Sequence, residues 1–266
     1  MIKTRRVWLW VLAALLIAGV SAQEKVLLQY KAKPGQTMRY RLAGTLSIEA
    51  AGQTFNLEVT TVSVQKVLEV SPEGNIKQES SVESYEMSFN GQKAPTPPEA
   101  LSIKTTITIK PNGELIARET TREEEAEGDQ RHLSQVFSFI YPAQPVGAGE
   151  KWSYAFEENS RLGTAPARVE YTLKGFEAWK GIRVARIQSA YKAEGDSKLT
   201  AEVDALVEVR TGDVVYGKAS VSGMEFGQGG VSAPASATLE FERIEGSPLP
   251  EGENGTPKVD QQPTEQ

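Results

Sequence analysis

The sequence predicts a mostly β protein: long, twisted antiparallel sheets forming a duplicated half-barrel or two lobes, with one covering helix. Three observations carry this. Apolar and polar residues alternate with period 2 through most of residues 37–245. Glycine-containing turn pairs interrupt the alternation. Only residues 129–142 place their apolar side chains at helical spacing.

The strands follow in order. Met38, Tyr40, Leu42, Leu46, Ile48 and Ala50 fall on even positions and their polar neighbours on odd ones, as in a long strand with one wet face. Ala51-Gly52 turns the chain. Phe55, Leu57 and Val59 continue on odd positions, whereas Val62, Val64, Leu68 and Val70 are even. This phase slip predicts a bulge or sharp bend near Thr60-Thr61. Ser71 to Asn75 forms a turn, and a strand then runs to Phe89. Asn90-Gly91 suits a type I′ hairpin, because both central residues of that turn need positive φ. After a proline-rich loop, Leu101, Ile103, Ile107 and Ile109 alternate, and Asn112-Gly113 reverses the chain. Trp152, Tyr154 and Phe156 resume the pattern. Val169, Tyr171 and Leu173, then Ala201 to Val209, extend it, and Leu239 and Phe241 close it. Gly217, Gly223, Gly227, Gly229 and Gly230 read as bends, bulges and a loop.

In the helix, Leu133, Val136, Phe137, Ile140 and Tyr141 form an apolar stripe, Asp129 can cap the start and Pro142 ends it. These five residues are the candidate apolar lid. Glu123-Glu124-Glu125 before it reads as a solvated loop. The domain boundaries are therefore 23–128 for a first lobe, 129–142 for the helix and 143–245 for a second lobe. Residues 246–266, with four prolines and almost no apolar residue, read as a disordered tail.

The two lobes echo each other. Gly35-Gln36-Thr37-Met38-Arg39-Tyr40 opens the first and Gly149-Glu150-Lys151-Trp152-Ser153-Tyr154 the second. Ile107 to Ile116 and Val207 to Val215 supply matching hairpins. The junction Tyr141-Pro142-Ala143-Gln144-Pro145-Val146-Gly147-Ala148-Gly149-Glu150-Lys151-Trp152 resembles the Pro…Pro-Val-x-x-Gly-x-x-Trp junction of a family of exported, β-rich bacterial proteins of unknown function with a duplicated lobe. That resemblance implies architecture and compartment, and no functional residues carry over. More distantly, long curved strands under a helix are similar to the periplasmic lipoprotein carriers of the LolA/LolB type. Those hold acyl chains on the concave face of a half-open barrel; this chain departs from them in its duplication.

Residues 1–22 read as a signal peptide. Lys3, Arg5 and Arg6 precede an apolar run from Val7 to Val20, too short to span a bilayer comfortably, and Val20 and Ala22 supply the small residues before a cleavage site. The expected protein is thus exported, periplasmic or extracellular, and not integral to a membrane after cleavage. The formal charge of −6, held by 35 acidic against 29 basic side chains, argues against nucleic acid as a partner. The chain has no Cys and one His, which excludes disulfides, thiolate metal sites and Cys nucleophiles. That residue, His132, reads as a surface or boundary side chain. No catalytic, metal-binding or cofactor-binding residue is expected, so the chain reads as a non-catalytic cell-envelope protein. Trp152, Tyr154, Phe156, Tyr171 and Trp179 read as core before groove. The expected function is binding of an apolar ligand, a lipid or an acylated partner. The alternatives are an interaction protein that pairs with another envelope protein through its strand edges, and a hydrolase using paired carboxylates.

Overall fold

A computed structural model describes residues 24–121, 129–228 and 231–246. The expected leader, the Glu123–Glu125 run and all but the first residue of the expected tail lie outside the described residues. The first half contains β1 (Lys25–Val26), β2 (Thr37–Ala50), β3 (Gln53–Val70), β4 (Ile76–Phe89), β5 (Gln92–Ala94), β6 (Lys104–Ile109) and β7 (Leu115–Thr120). Helix α1 (Asp129–Gln135) follows. The second half contains β8 (Val146–Gly147), β9 (Lys151–Phe156), β10 (Ala167–Trp179), β11 (Ile182–Ala193), β12 (Thr200–Glu208), β13 (Val214–Gln228) and β14 (Val231–Glu245).

The halves are not separate sheets. One antiparallel sheet runs β7-β6-β4-β3-β2-β14-β13-β12-β11-β10-β9, with β5 on β4, and β2 and β14 join the halves. Local turns set this meander. At Ala51-Gly52, Asn90-Gly91 and Lys180-Gly181 both residues have positive φ, the type I′ geometry that matches strand twist. The sheet is not closed into a barrel. Its edges β7 and β9 come close enough for the Arg118 guanidinium to donate to the Leu162 carbonyl, in the loop after β9, at 3.3 Å.

Backbone contacts repeat between the halves. The Gly35 N–H bonds the Val67 carbonyl and the Val67 N–H bonds Gln36, both at 2.8 Å. Gly149, Leu173 and Glu150 make the same exchange at 2.6 and 3.0 Å, and Gly35 and Gly149 share a φ of 83°. The lead-in strands β1 and β8 pair with each other. A second echo emerges here: Tyr30-x-Ala32-x-Pro34 and Tyr141-x-Ala143-x-Pro145 occupy the two lead-ins, and the tyrosine rings lie 5.1 Å apart.

One expectation is corrected and another is refined. The helix spans Asp129–Gln135, not 129–142, so of the five stripe residues only Leu133 is helical. Val136 to Tyr141 are β-branched or aromatic apart from Ser138, a composition with weak helix propensity. Their chain leaves the helix and is held from outside: Tyr171 Oη donates to the Ser138 carbonyl and Trp152 Nε1 to the Ile140 carbonyl, each at 2.8 Å. The Asp129 carboxylate accepts from Ser197 Oγ and the Glu225 N–H, tying α1 to the turn before β12 and to β13 in place of capping the helix start. The refinement concerns β3. Its ladder with β2 is regular throughout, and the bulge expected near Thr60-Thr61 falls against β4 between Val62 and Ser63, where Glu83 is the extra residue; a second shift lies between Val67 and Glu69, where Leu68 is the extra residue. The phase slip therefore marks a change in what β3 shows its inner face. Phe55, Leu57 and Val59 are followed on that face by Thr61, Ser63 and Gln65.

The main core lies on the inner face of the second half. Leu28 from the first lead-in and Val136, Phe139, Tyr141 and Val146 from the second pack there against Val169, Tyr171, Ile187, Val203 and Val221. Small side chains let the covering segment approach. A Cβ on Gly217 would sit 3.0 Å from the Phe137 ring, so this glycine serves a close approach and not a bend.

Candidate functional site: an uncovered stretch of the inner face

Residues opposite one another in an antiparallel ladder point to the same side of the sheet, so its rows can be followed from edge to edge. One row runs Tyr154, Val169, Tyr191, Ala201, Val221, Ala237, Leu46, Leu57 and Phe89. Every member is apolar or aromatic. Val169, Tyr191 and Val221 are 2% exposed, Leu46 and Leu57 are half-buried, and Phe89 is 46% exposed. The adjacent row ends on Gly44, Val59 and Met87, and Val59 and Met87 are also half-buried. The chemistry of the face is continuous, whereas among the described residues its cover thins beyond β14: Ile48 on β2 is still 8% exposed, with Leu46 and Phe55 packed against the same core. Leu42 is 39% exposed there, and the Phe55 and Phe89 rings stack at 5.9 Å. Together these side chains form an open apolar stretch across β2, β3 and β4.

Toward the other end of the same strands lies a cavity of about 280 Å³. Met38, Tyr40, Ile76, Ile107, Ile109 and Phe241 give it apolar walls, and Gln65, Gln78, Thr211 and Asp213 give it polar ones. Lys31 and Phe137 also border it. Behind it sits a buried charge cluster. Arg243, whose side chain is 8% exposed, donates to Asp213 Oδ2 and Glu208 Oε2, each at 2.9 Å. Tyr40 Oη donates to the Asp213 carboxylate at 2.9 Å, and Arg210 pairs with the other oxygen of Glu208. Burial pushes the Asp213 carboxyl up to about 6, while Arg243 and the Tyr40 hydrogen bond pull the other way. Nothing in the sequence flagged Glu208, Arg210, Asp213 or Arg243, because each is an ordinary charged side chain on a strand or turn, and Tyr40 read only as one apolar member of a strand.

The five lid candidates are placed as follows. Val136, Ile140 and Tyr141 are at most 4% exposed, and Leu133 and Phe137 are half-buried. Tyr141 Oη donates to the Gly212 carbonyl at 2.7 Å. Phe137 stands at the border between core and cavity, 5.8 Å from the Phe241 ring. Phe137→Ala is expected to lower stability by about 2–3 kcal/mol in urea denaturation, below the value for a wholly buried Phe. A loss under about 1 kcal/mol would mean that the ring is not held there.

His132 is not a surface residue. It is 4% exposed, its Nδ1 lies 2.8 Å from Tyr191 Oη, and burial lowers its pKa. Trp152 and Tyr171 stack at 5.3 Å within the core. Trp179 packs beside a separate cluster of Val184, Leu206 and Val215. Among the described residues no helix is long and apolar enough to cross a membrane.

No family model and no curated protein matches this chain. Among solved structures, one concerned with lipid–protein interactions in lipovitellin matches over 85% of this chain, at 7% identity and a TM-score of 0.51. The chain shares its fold with part of lipovitellin. It spans 27% of that chain's length, and at this identity the likeness concerns fold alone. The resemblance expected from the sequence is also met among solved structures. A LolA superfamily protein from Nitrosomonas europaea matches over 79% of this chain and 86% of its own, at 9% identity and a TM-score of 0.18. A DUF1329 family protein from Desulfovibrio piger matches over 77% and 84%, at 10% identity and 0.24. These two share too little geometry to carry an argument about function.

Proposed function

We propose that this is a non-catalytic binding protein of the cell envelope that holds an apolar ligand, a lipid or the acyl chain of a partner, on the uncovered inner face of β2, β3 and β4. One observation carries the reading: the apolar rows that form the core of the second half continue into the first half, where among the described residues their cover thins and leaves Leu42 and Phe89 exposed. Exposed apolar surface of this extent, continuous with a core and flanked by a cavity, is the usual form of a hydrophobic binding site. The fold shared with lipovitellin, a protein described through its lipid–protein interactions, supports the same reading. The segment Leu133–Tyr141 then acts as a fixed wall with Phe137 at its border, and the leader read from residues 1–22 supports an exported location.

The test is ligand retention in a Leu57→Ser/Met87→Ser variant. Each substitution removes an apolar contact worth about 1–2 kcal/mol to a bound chain, so affinity for a polarity-sensitive dye and for co-purified lipid should fall about 10–100-fold. Thermal stability should change less than for a core substitution, because both side chains are only partly buried. Equal lipid content by mass spectrometry in the variant and the parent would overturn the reading.

A second reading rests on the two sheet edges, β7 and β9, which pair on one side only among the described residues. Ile116 on β7 is 40% exposed. Edge pairing with another envelope protein is the function this would support.

A further inference from the structure

We propose that the ligand's polar group is uncharged, and that it sits on a patch of neutral side chains between the open apolar stretch and the cavity. This rests on the binding reading above and names the ligand class for the same site. Gln65, Ser80 and Thr105 stand side by side across β3, β4 and β6, and Ser63 and Gln78 flank them on the same face. All five are half-buried, and their side chains have no hydrogen-bond partner among the described residues. Gln65 and Gln78 line the cavity. Their polar atoms reach solvent and no protein group among the described residues engages them, so they are free to bond a ligand's polar group in place of water.

The residue types specify the partner's chemistry. Each amide offers two N–H donors and an acceptor oxygen, and each hydroxyl donates and accepts. Such a set suits a group that also does both: glycerol or sugar hydroxyls, or an ester with a free hydroxyl. A phosphate or carboxylate would need a cation, because an unpaired anion taken out of water is strongly penalised. No Lys or Arg belongs to the patch. Arg118, across β6 from Gln78, gives its guanidinium to the Leu162 carbonyl, and Lys31 stands at the cavity border. Along β3 the inner face runs from Gln65 to Leu57, about 27 Å at about 3.4 Å per residue, so a chain whose polar group sits at Gln65 passes Ser63 and Thr61 before it reaches Val59. An uncharged acylglycerol or glycolipid, with its polar group at Gln65 and Gln78 and its hydrocarbon over Val59, Leu57 and Phe89, fits both ends.

The experiment is displacement of a solvatochromic dye from the full chain at pH 8 by 1-monopalmitoylglycerol and by palmitate, which share a chain and differ in charge. The neutral amphiphile is expected to bind about tenfold or more tightly, a difference of one to two hydrogen bonds. Gln65→Leu/Gln78→Leu should bring the two within about threefold by weakening monopalmitoylglycerol alone. The single variant Gln78→Leu should give a partial shift in the same direction and serves if the double variant melts early. Palmitate binding as tightly as monopalmitoylglycerol, or a preference unchanged by the Gln substitutions, would overturn the assignment while leaving the apolar site standing. If neither amphiphile displaces the dye, the binding reading itself fails and takes this inference with it.

Discussion

Arg243→Met is expected to destabilise the protein by about 3–5 kcal/mol in urea denaturation at pH 7. The Arg243 guanidinium is the shared partner of Asp213 and Glu208, and the Glu208 side chain is only 3% exposed. Removing the cation leaves the buried Asp213 carboxylate with no cationic partner among the described residues and Glu208 with Arg210 alone, which is the costly half of a buried ion pair. A triple variant, Arg243→Met/Glu208→Gln/Asp213→Asn, keeps the shapes and removes the charges, and it should recover most of the loss. The pH dependence follows from Asp213. Its carboxyl sits at about 6 in the fold, above the ordinary 3.8, so the folded state holds the proton more tightly than the unfolded chain. The stability this provides is fully present below the unfolded value and is lost as pH rises through about 6. Without Arg243 the charged form is worse still, so the deficit of Arg243→Met should shrink as pH falls from 7 toward 4. A deficit that grows on acidification would show that the cluster is hydrated and not buried.

Gly212→Ala should cost about 3–5 kcal/mol, and Gly35→Ala only about 1–2. Both glycines have positive φ, 68° and 83°, where a Cβ strains the backbone by about 1–2 kcal/mol. They differ in their surroundings. A Cβ at Gly35 meets nothing within 4 Å, whereas at Gly212 it would lie 2.3 Å from the Gln29 carbonyl oxygen and 2.8 Å from the Tyr30 nitrogen. Relieving that clash means moving the first lead-in, which places Leu28 in the core and bonds the Lys31 N–H to the Thr211 carbonyl at 2.8 Å. Urea melts of the two variants side by side separate strain from collision. Equal losses would show that the lead-in yields freely and locks nothing.

The strands and turns were readable because their causes are local. Alternation in Met38 to Ala50 and the pair Asn90-Gly91 each dictate one geometry. The helix was overextended for a related reason. Spacing of Leu133, Val136, Phe137, Ile140 and Tyr141 fits a helical stripe, but an irregular segment enclosed by core can bury the same residues, and spacing alone does not separate the two. His132 was misjudged because its burial depends on Tyr191, far along the chain. The phase slip in β3 placed the bulge within two residues, but spacing on one strand cannot show that the extra residue, Glu83, belongs to the neighbouring strand β4. The site was out of reach. Its exposure follows from where the cover ends, and Glu208, Asp213, Arg243 and Tyr40 meet only through pairing of strands from opposite ends of the chain.

That pairing also sets an order of events. The central ladder joins β2, among the first strands made, to β14, the last of the described strands. While the chain emerges from the ribosome, the whole length of β2 keeps one bare edge, and its apolar side chains Leu42, Leu46 and Ile48 have no β14 beside them. Contacts of such long sequence separation form slowly, and unpaired strands attract one another between chains. Synthesis as far as β13 would yield two sticky half-sheets, and the arrival of residues 231–245 unites them. The protein therefore matures in one late step, and its yield in the cell should depend on how well the nascent first half is shielded until that step occurs.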